Sequence, residues 1–525
     1  MRRNNLLLIA LLAHVFAAAA PAAAQLQETE YQGAAALGLA LRRLGTTRRV
    51  LMIAAHPDDE NTALLSELAL GEGADVAYLS LTRGEGGQNL IGPELGEQLG
   101  LIRSEELLAA RRLDGARQFF TRAYEFGYSK SAEETFRHWP RDSLLSDVVA
   151  VIRSFRPDIL VTIFTGTPRD GHGQHQVAGI LAREAFLAAR DPLRFPEQLA
   201  RGLRPHTVQK LFQSSWRQTN EPATVIPTGE LDPLLGRSHF QIAMASRSRH
   251  RSQDMGQAQL PGPRASRVQL VARASDPPQA VAPGAVAAGA PEPSMFTGVA
   301  TTLAAKVQAH MAVSPYPLRP ALATLTEYET HIERVRAEYN ALAPSALVPG
   351  LAAAVGLLQR ADSQLVAVGP GPGMDDLRFL LNRELEDART ALARAAGLVL
   401  DAIADDERVV AGQSFGLELT LWNGGDRRVT VRSLEPVLPA SWQAVARDSL
   451  SRAPLAPGQL LTRKFSVQVP ASAAPTEPYF LRRPRAGFVY DWPADPDTAN
   501  LAFGPPEVRA RARVEVAGAE VALGV

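Results

Sequence analysis

Between Arg49 and about Gln253, short apolar runs alternate with stretches of helical periodicity, and no other feature of the chain limits its fold so strongly. The runs RVLMIAA (49–55), ADVAYLSLT (74–82), DILVTIFT (158–165) and VQKLFQSSW (208–216) have the length and branched apolar content of buried strands. TALLSELAL, IRSEELLAARRLDGA and SLLSDVVAVIRSF lie between them and space their apolar residues as amphipathic helices do. Strand–helix repetition of this kind predicts an α/β fold: a Rossmann-like, mostly parallel sheet with helices on both faces. Such sheets bind ligands outside the carboxyl ends of their strands. The residues that follow each apolar run are therefore where chemistry is expected.

Two of those strand ends carry histidine and carboxylate together. The first run continues into HPDDE (56–60) and the third into TPRDGHGQHQVAG. Pro57 suits the first position of a helix, and acids in a first turn complement the helix dipole. That reading explains Pro57, Asp58, Asp59 and Glu60 but leaves His56 unexplained. His56 and Asp59 are three residues apart, as are His172 and His175, so one turn brings each pair to one side. Imidazole plus carboxylate in an open three-ligand set is what catalytic zinc uses. The chain has no cysteine, so thiolate metal sites and disulfides are excluded and any metal rests on His, Asp or Glu.

AAHPDDE with DGHGQH resembles the PIG-L (LmbE-like) family of zinc-dependent de-N-acetylases, over residues 48–255. The resemblance implies that His56, Asp59 and His175 bind Zn2+, that Asp58 is the general base, and that His172 supports the oxyanion or the leaving group. Gly173 and Gln174 stand where the family motif has proline and aspartate. Asp170, two residues before His172, is expected to orient that imidazole. Histidine and carboxylate ligands also accept other divalent metals. The glycine-rich stretch TRGEGGQNLIGPELGEQLG follows the second strand and offers Arg83, Glu85 and Gln88 as sugar contacts. Arg103, on the next helix, and His250, in SRHRSQDMG, are further substrate-binding candidates.

The implied activity is hydrolysis of a C–N bond other than a peptide bond. An N-acetyl group would leave an N-acetylglucosamine-type amino sugar or glycoconjugate. Two rivals are a zinc amidase acting on another N-acyl compound and a non-catalytic glycan-binding protein of the cell envelope. A base (Asp58) alongside a full ligand set argues against the second. Basic and acidic residues number 55 each, which gives no support to a nucleic-acid partner.

Arg2 and Arg3, the apolar run Leu6 to Ala20 and the Ala22-x-Ala24 site form a secretory signal peptide pattern over residues 1–24. An exported protein, periplasmic or extracellular, is expected, with no transmembrane helix once the signal is cleaved. The deacetylase domain is expected over 25–260, followed by a Pro/Ala/Gly-rich linker (261–293) and a helical segment (294–404). From 405 to 525 the period changes to two, with Phe415, Leu417, Leu419 and Leu421 alternating, which predicts an accessory β-sandwich. It resembles modules attached to secreted carbohydrate-active enzymes. Trp422, Trp442 and Trp492 are read as core residues before sugar-stacking ones. The strand pattern runs to Val525, and a longer natural chain is expected.

Overall fold

The alternating runs become one seven-stranded sheet in the computed structural model, which describes residues 30–214, 222–287, 289–451, 453–492 and 498–525. The expected signal peptide at 1–24 lies outside the described residues, as does the end of the fourth apolar run. The strands are β1 (Arg49–Ala54), β2 (Asp75–Ser80), β3 (Arg117–Phe120), β4 (Ile159–Thr162), β5 (Lys210–Ser214) and β6 (Thr224–Pro227). A small hairpin, β7 (Leu231–Asp232) and β8 (Arg237–Ser238), precedes β9 (Ala265–Arg273). The sheet order is β3-β2-β1-β4-β5-β9-β6, parallel from β3 to β5 and antiparallel where β9 meets β5 and β6. Every residue of β1 and β2 is buried, as a sheet covered on both faces requires. The chain builds outwards from β1 in both directions. The crevice between β1 and β4 is therefore the topological switch point, where such sheets bind ligands.

Strand β9 corrects the linker expected at 261–293. Residues 265–273 pair with both neighbouring strands and bury Val268, Val271 and Ala272. A nine-residue strand was hidden by the proline, alanine and glycine around it, so the α/β unit extends past residue 260.

The helical segment comprises Leu303–Met311, Arg319–Ala337, Val348–Val368 and Met374–Ala395. Next come β10 (Leu398–Ala404), β11 (Ser414–Asn423), β12 (Thr430–Val437), β13 (Gln443–Ala446), β14 (Leu460–Gln468), β15 (Arg509–Val516) and β16 (Ala519–Gly524). They form two antiparallel sheets, β10-β11-β14-β13 and β12-β15-β16. Phe415, Leu417, Leu419 and Leu421 all point inward, as their alternation predicted. The helices and the sandwich are not separate bodies. Leu351, Leu392, Leu419 and Val514 belong to one core, which also takes Leu37 and Leu41 from the N-terminal helix Gly33–Arg43.

Between β14 and β15 the chain leaves the sandwich and crosses to the α/β sheet. Antiparallel bridges join Phe119 to Leu501 and Ala123 to Val489, covering the open edge at β3. Tyr124, Tyr479, Phe480, Tyr490 and Trp492 are buried together at this contact. Trp492 is thus a core residue, whereas Trp422 is 45% exposed. Among the described residues no helix is long and apolar enough to cross a membrane.

Candidate metal and catalytic site

After β1 the chain makes a run of turns through residues 56–60, and the following helix begins only at Thr62. Asn61 caps that helix by accepting from the Leu64 amide, so Pro57 and the acids lie in the turn and not in a first helical turn. The Asp59 carboxylate folds back to accept from the amides of Ala55 (3.2 Å) and His56 (2.8 Å). This places its Oδ2 3.2 Å from His56 Nδ1. After β4, His172 occupies the cap position of helix Gly173–Ala188, and His175 follows one turn in. His175 Nε2 comes within 3.4 Å of Asp59 Oδ1. Nitrogens of His56, His172 and His175 all lie within 4.8 Å of one another. The two strand ends therefore deliver their pairs to one point.

Each imidazole facing Asp59 is held from behind. His56 Nε2 meets Glu125 Oε2 at 2.9 Å, and His175 Nδ1 meets the carbonyl of Asp170 at 3.1 Å. Outward acceptors of this kind fix the tautomer of a metal-binding histidine, leaving the inner nitrogen free to ligate. The donors gathered here, nitrogens of His56, His172 and His175 with the Asp59 carboxylate beside them, fit a divalent cation. Charge is already concentrated here. Against the effect of burial, Glu125 and Asp59 push His56 up to about 10. Burial would raise Asp59, but His175 and His56 hold its carboxyl well below the usual range.

Asp58 stands apart from these donors. Its Oδ2 lies 3.2 Å from Arg103 Nη2, and burial pushes its carboxyl up while Arg103 pulls the other way. Its backbone has φ +108°, a conformation costly for a residue with a side chain and concentrated at functional sites. Two cavities, about 730 and 980 Å³, meet at Asp59 and His175. The smaller contains Asp58, Arg103, Gln88 and His172.

Residues 51–186 match the family model described as PIG-L: GlcNAc-PI de-N-acetylase. The chain carries a PIG-L domain. Residues 409–482 match a second model, the NPCBM-associated, NEW3 domain of alpha-galactosidase. A 1D-myo-inositol 2-acetamido-2-deoxy-alpha-D-glucopyranoside deacetylase of Geodermatophilus obscurus is 32% identical, over 29% of this chain and 57% of its own. A diacetylchitobiose deacetylase of Thermococcus kodakarensis is 33% identical, over 31% of this chain and 58% of its own. The chain thus spans little more than half the length of these relatives. The solved N,N'-diacetylchitobiose deacetylase of Pyrococcus horikoshii superposes with TM-score 0.31 at 22% identity, over 39% of this chain and 70% of the other.

Within the PIG-L domain, the departure from the family motif has a physical cause. The Gly173 amide donates to Ser129 O at 2.9 Å, which a proline cannot do. A Cβ at Gly173 would stand 2.1 Å from Ser131 O, so only glycine fits. Gln174 takes over the role expected of Asp170. Its Oε1 lies 2.9 Å from His172 Nδ1, and its Nε2 donates to Glu125 Oε1 at 3.0 Å. Burial, then the neighbouring His175 and His56, lower His172 to about 4, so it is neutral at pH 7. The Asp170 carboxylate instead accepts from the amides of Thr165 (2.9 Å), Gly166 (2.7 Å) and Thr167 (3.1 Å). It is tied into its own turn and has no bond to His172. Only its carbonyl serves the site.

Three expected sugar contacts are buried instead. Arg83 lies between the rings of Phe120 and Phe480, at 4.3 and 3.6 Å, and donates to Leu501 O and Ala502 O. Glu85 accepts from the Tyr490 hydroxyl at 2.7 Å beneath the cleft. His250 is wholly buried and bonds Glu60 Oε1 at 3.1 Å, bracing HPDDE from behind together with Arg111. Gln88 and Arg103 do reach the cleft, joined by Tyr128, Arg247 and Met255, which the sequence reading passed over. Glu125 was missed as well. Its signal was position: it follows β3 at the same sheet edge, but RQFF is too short to stand out as a strand.

Proposed function

We propose that this chain is an exported, divalent-metal-dependent hydrolase that removes an N-acetyl group from an N-acetylglucosamine-type amino sugar or glycoconjugate. The carrying observation is the meeting of His56, Asp59 and His175 at the switch point, with Asp58 and His172 beside them. The PIG-L match and the sugar deacetylases among the relatives support the substrate class. The signal-peptide pattern supports export.

When bound, a divalent ion, zinc by family resemblance, supplies a Lewis acid that polarises the amide carbonyl and activates water near neutral pH. The chain's own residues do the rest. Asp58, near the ligands but not among them, takes the proton of the attacking water and returns it to the departing amine. Arg103 restrains the Asp58 carboxylate through the 3.2 Å pair. His172 has Nδ1 committed to the Gln174 oxygen, so Nε2 is left to exchange a proton or, once protonated, to donate to the developing oxyanion. His56, Asp59 and His175 would hold the ion, and Glu125 keeps the His56 ring in place from behind through Nε2. The test is metal analysis combined with acetate release from N-acetylglucosamine, diacetylchitobiose and an N-acetylglucosaminyl inositol. Metal-loaded protein that releases acetate from none of them refutes the reading.

A further inference from the structure

The C-terminal module touches the catalytic unit at more than its surface. Its crossing segment, described over residues 478–492 and 498–503, adds chain to the β3 edge: the Phe120 amide donates to Asn500 O (2.8 Å), the Tyr124 amide to Phe488 O (3.0 Å) and the Tyr490 amide to Arg122 O (2.8 Å). The peptide that leaves β3 towards the cleft is therefore fastened on one side by a segment from the other end of the molecule. That same peptide carries Glu125, the carboxylate behind His56.

Side chains continue the connection. The buried hydroxyl of Tyr490 donates to Glu85 Oε1 at 2.7 Å. The other oxygen of Glu85 accepts from the Glu125 amide at 3.1 Å. Glu125 then accepts from the Gly127 amide at 3.0 Å with Oε1 and meets His56 Nε2 at 2.9 Å with Oε2. Glu85 has no slack in this arrangement. A Cβ on Gly100 would fall 2.7 Å from its Cγ, and one on Gly86 would fall 2.4 Å from the Gly127 amide. Every member of the relay is buried or nearly so, and its geometry is therefore transmitted by packing as well as by hydrogen bonds.

We infer that Tyr490 is a positioning residue for the metal site: through Glu85 and the Glu125 peptide it sets the carboxylate that orients His56, so the C-terminal module completes the catalytic unit. The inference rests on the metal-site reading above. Removing the Tyr490 hydroxyl leaves Glu85 with one hydrogen-bond donor fewer in a buried position and frees the Glu125 peptide to shift. Partners behind a metal ligand are typically worth ~10–100-fold in affinity or activity, and a relay one step removed falls at the lower end.

The experiment uses the full chain with Tyr490→Phe, Glu85→Gln and a comparison variant, Tyr479→Phe. Tyr479 lies in the same segment and donates to Leu501 O at 2.9 Å, with no bond to Glu85. Zinc affinity is read by competition with a chelator, alongside kcat, KM and Tm. Tyr490→Phe is expected to weaken zinc binding and lower kcat by about ten-fold each, with KM within two-fold. Tyr479→Phe is expected to lower Tm alone. If both tyrosine variants lose only Tm, keeping zinc affinity and kcat within two-fold of the parent, the segment merely packs and the inference is overturned. Should Tyr490→Phe fail to fold, Glu85→Gln decides by the same zinc reading: unchanged affinity overturns the relay. A parent protein that binds zinc but hydrolyses nothing refutes the proposed activity, while the affinity comparison still judges the relay.

Discussion

Replacing Asp58 by asparagine separates the chemistry from the metal. The substitution keeps shape and a carbonyl oxygen but removes the basic carboxylate. General-base assistance is typically worth ~10²–10⁴-fold, or about 2.7–5.4 kcal/mol of barrier at 1.36 kcal/mol per decade. The local backbone should survive, because its restraints do not depend on the charge. The Asp58 amide donates to Glu60 Oε2 at 2.9 Å, and Arg247 donates to the Asp58 carbonyl at 3.1 Å. Asparagine also tolerates positive φ better than most residues, which matters at φ +108°. Arg103 loses its ion pair but keeps its bonds to Pro57 O at 2.6 Å and Gly84 O at 3.2 Å. The cost to stability should stay at about 1–3 kcal/mol. Asp58→Asn protein should therefore hold metal at the parent stoichiometry by elemental analysis and release acetate at least ~100-fold more slowly. Turnover within ten-fold of the parent would refute the base assignment, and loss of the metal would make Asp58 a ligand.

His56→Ala should reduce bound metal to background, since it removes a proposed ligand that Glu125 braces from behind; retention of a full equivalent would break the ligand set. Glu384, buried against Tyr328 and the Gly45 amide, is pushed up to about 7 by burial. Its protonated form stabilises the fold fully below the unfolded carboxyl value, and this is lost as pH rises through about 7, an effect of at most ~3 kcal/mol. Glu384→Gln should flatten the fall of Tm between pH 5 and 8, and an unchanged slope would place that pH response elsewhere. A chain ending at residue 404 should aggregate on size-exclusion chromatography, because it uncovers Leu385, Leu392 and the β3 edge together. A monodisperse, metal-binding product would show that the helices and the α/β unit stand without the sandwich.

What was legible in the sequence follows from how local each signal is. Strands β1 and β4 are uninterrupted apolar runs, and a histidine pair or histidine–carboxylate pair lies in the segment after each, so both the parallel core and the residues that meet at the switch point could be read directly. The alternation of Phe415 to Leu421 gave away the sandwich in the same manner. Partners far apart in sequence were not legible. Arg83 and Glu85 look like cleft residues until Leu501, Ala502 and Tyr490 arrive to bury them. The role expected of Asp170 fell to Gln174 because capping the Thr167 turn occupies the Asp170 carboxylate, while Gln174 reaches both His172 and Glu125. A polar residue near a strand end has the same appearance in sequence whether it braces the site or touches the substrate.

The late arrival of residue 500 at β3 also sets a timetable. Phe120 and Asn500 are 380 residues apart, and at ~5–20 residues per second the ribosome needs roughly 20–80 s to make the stretch between them. A chain folding as it emerged would spend that interval with β3 unpaired along one side and Arg83 without its carbonyl partners, a template for pairing with other nascent chains.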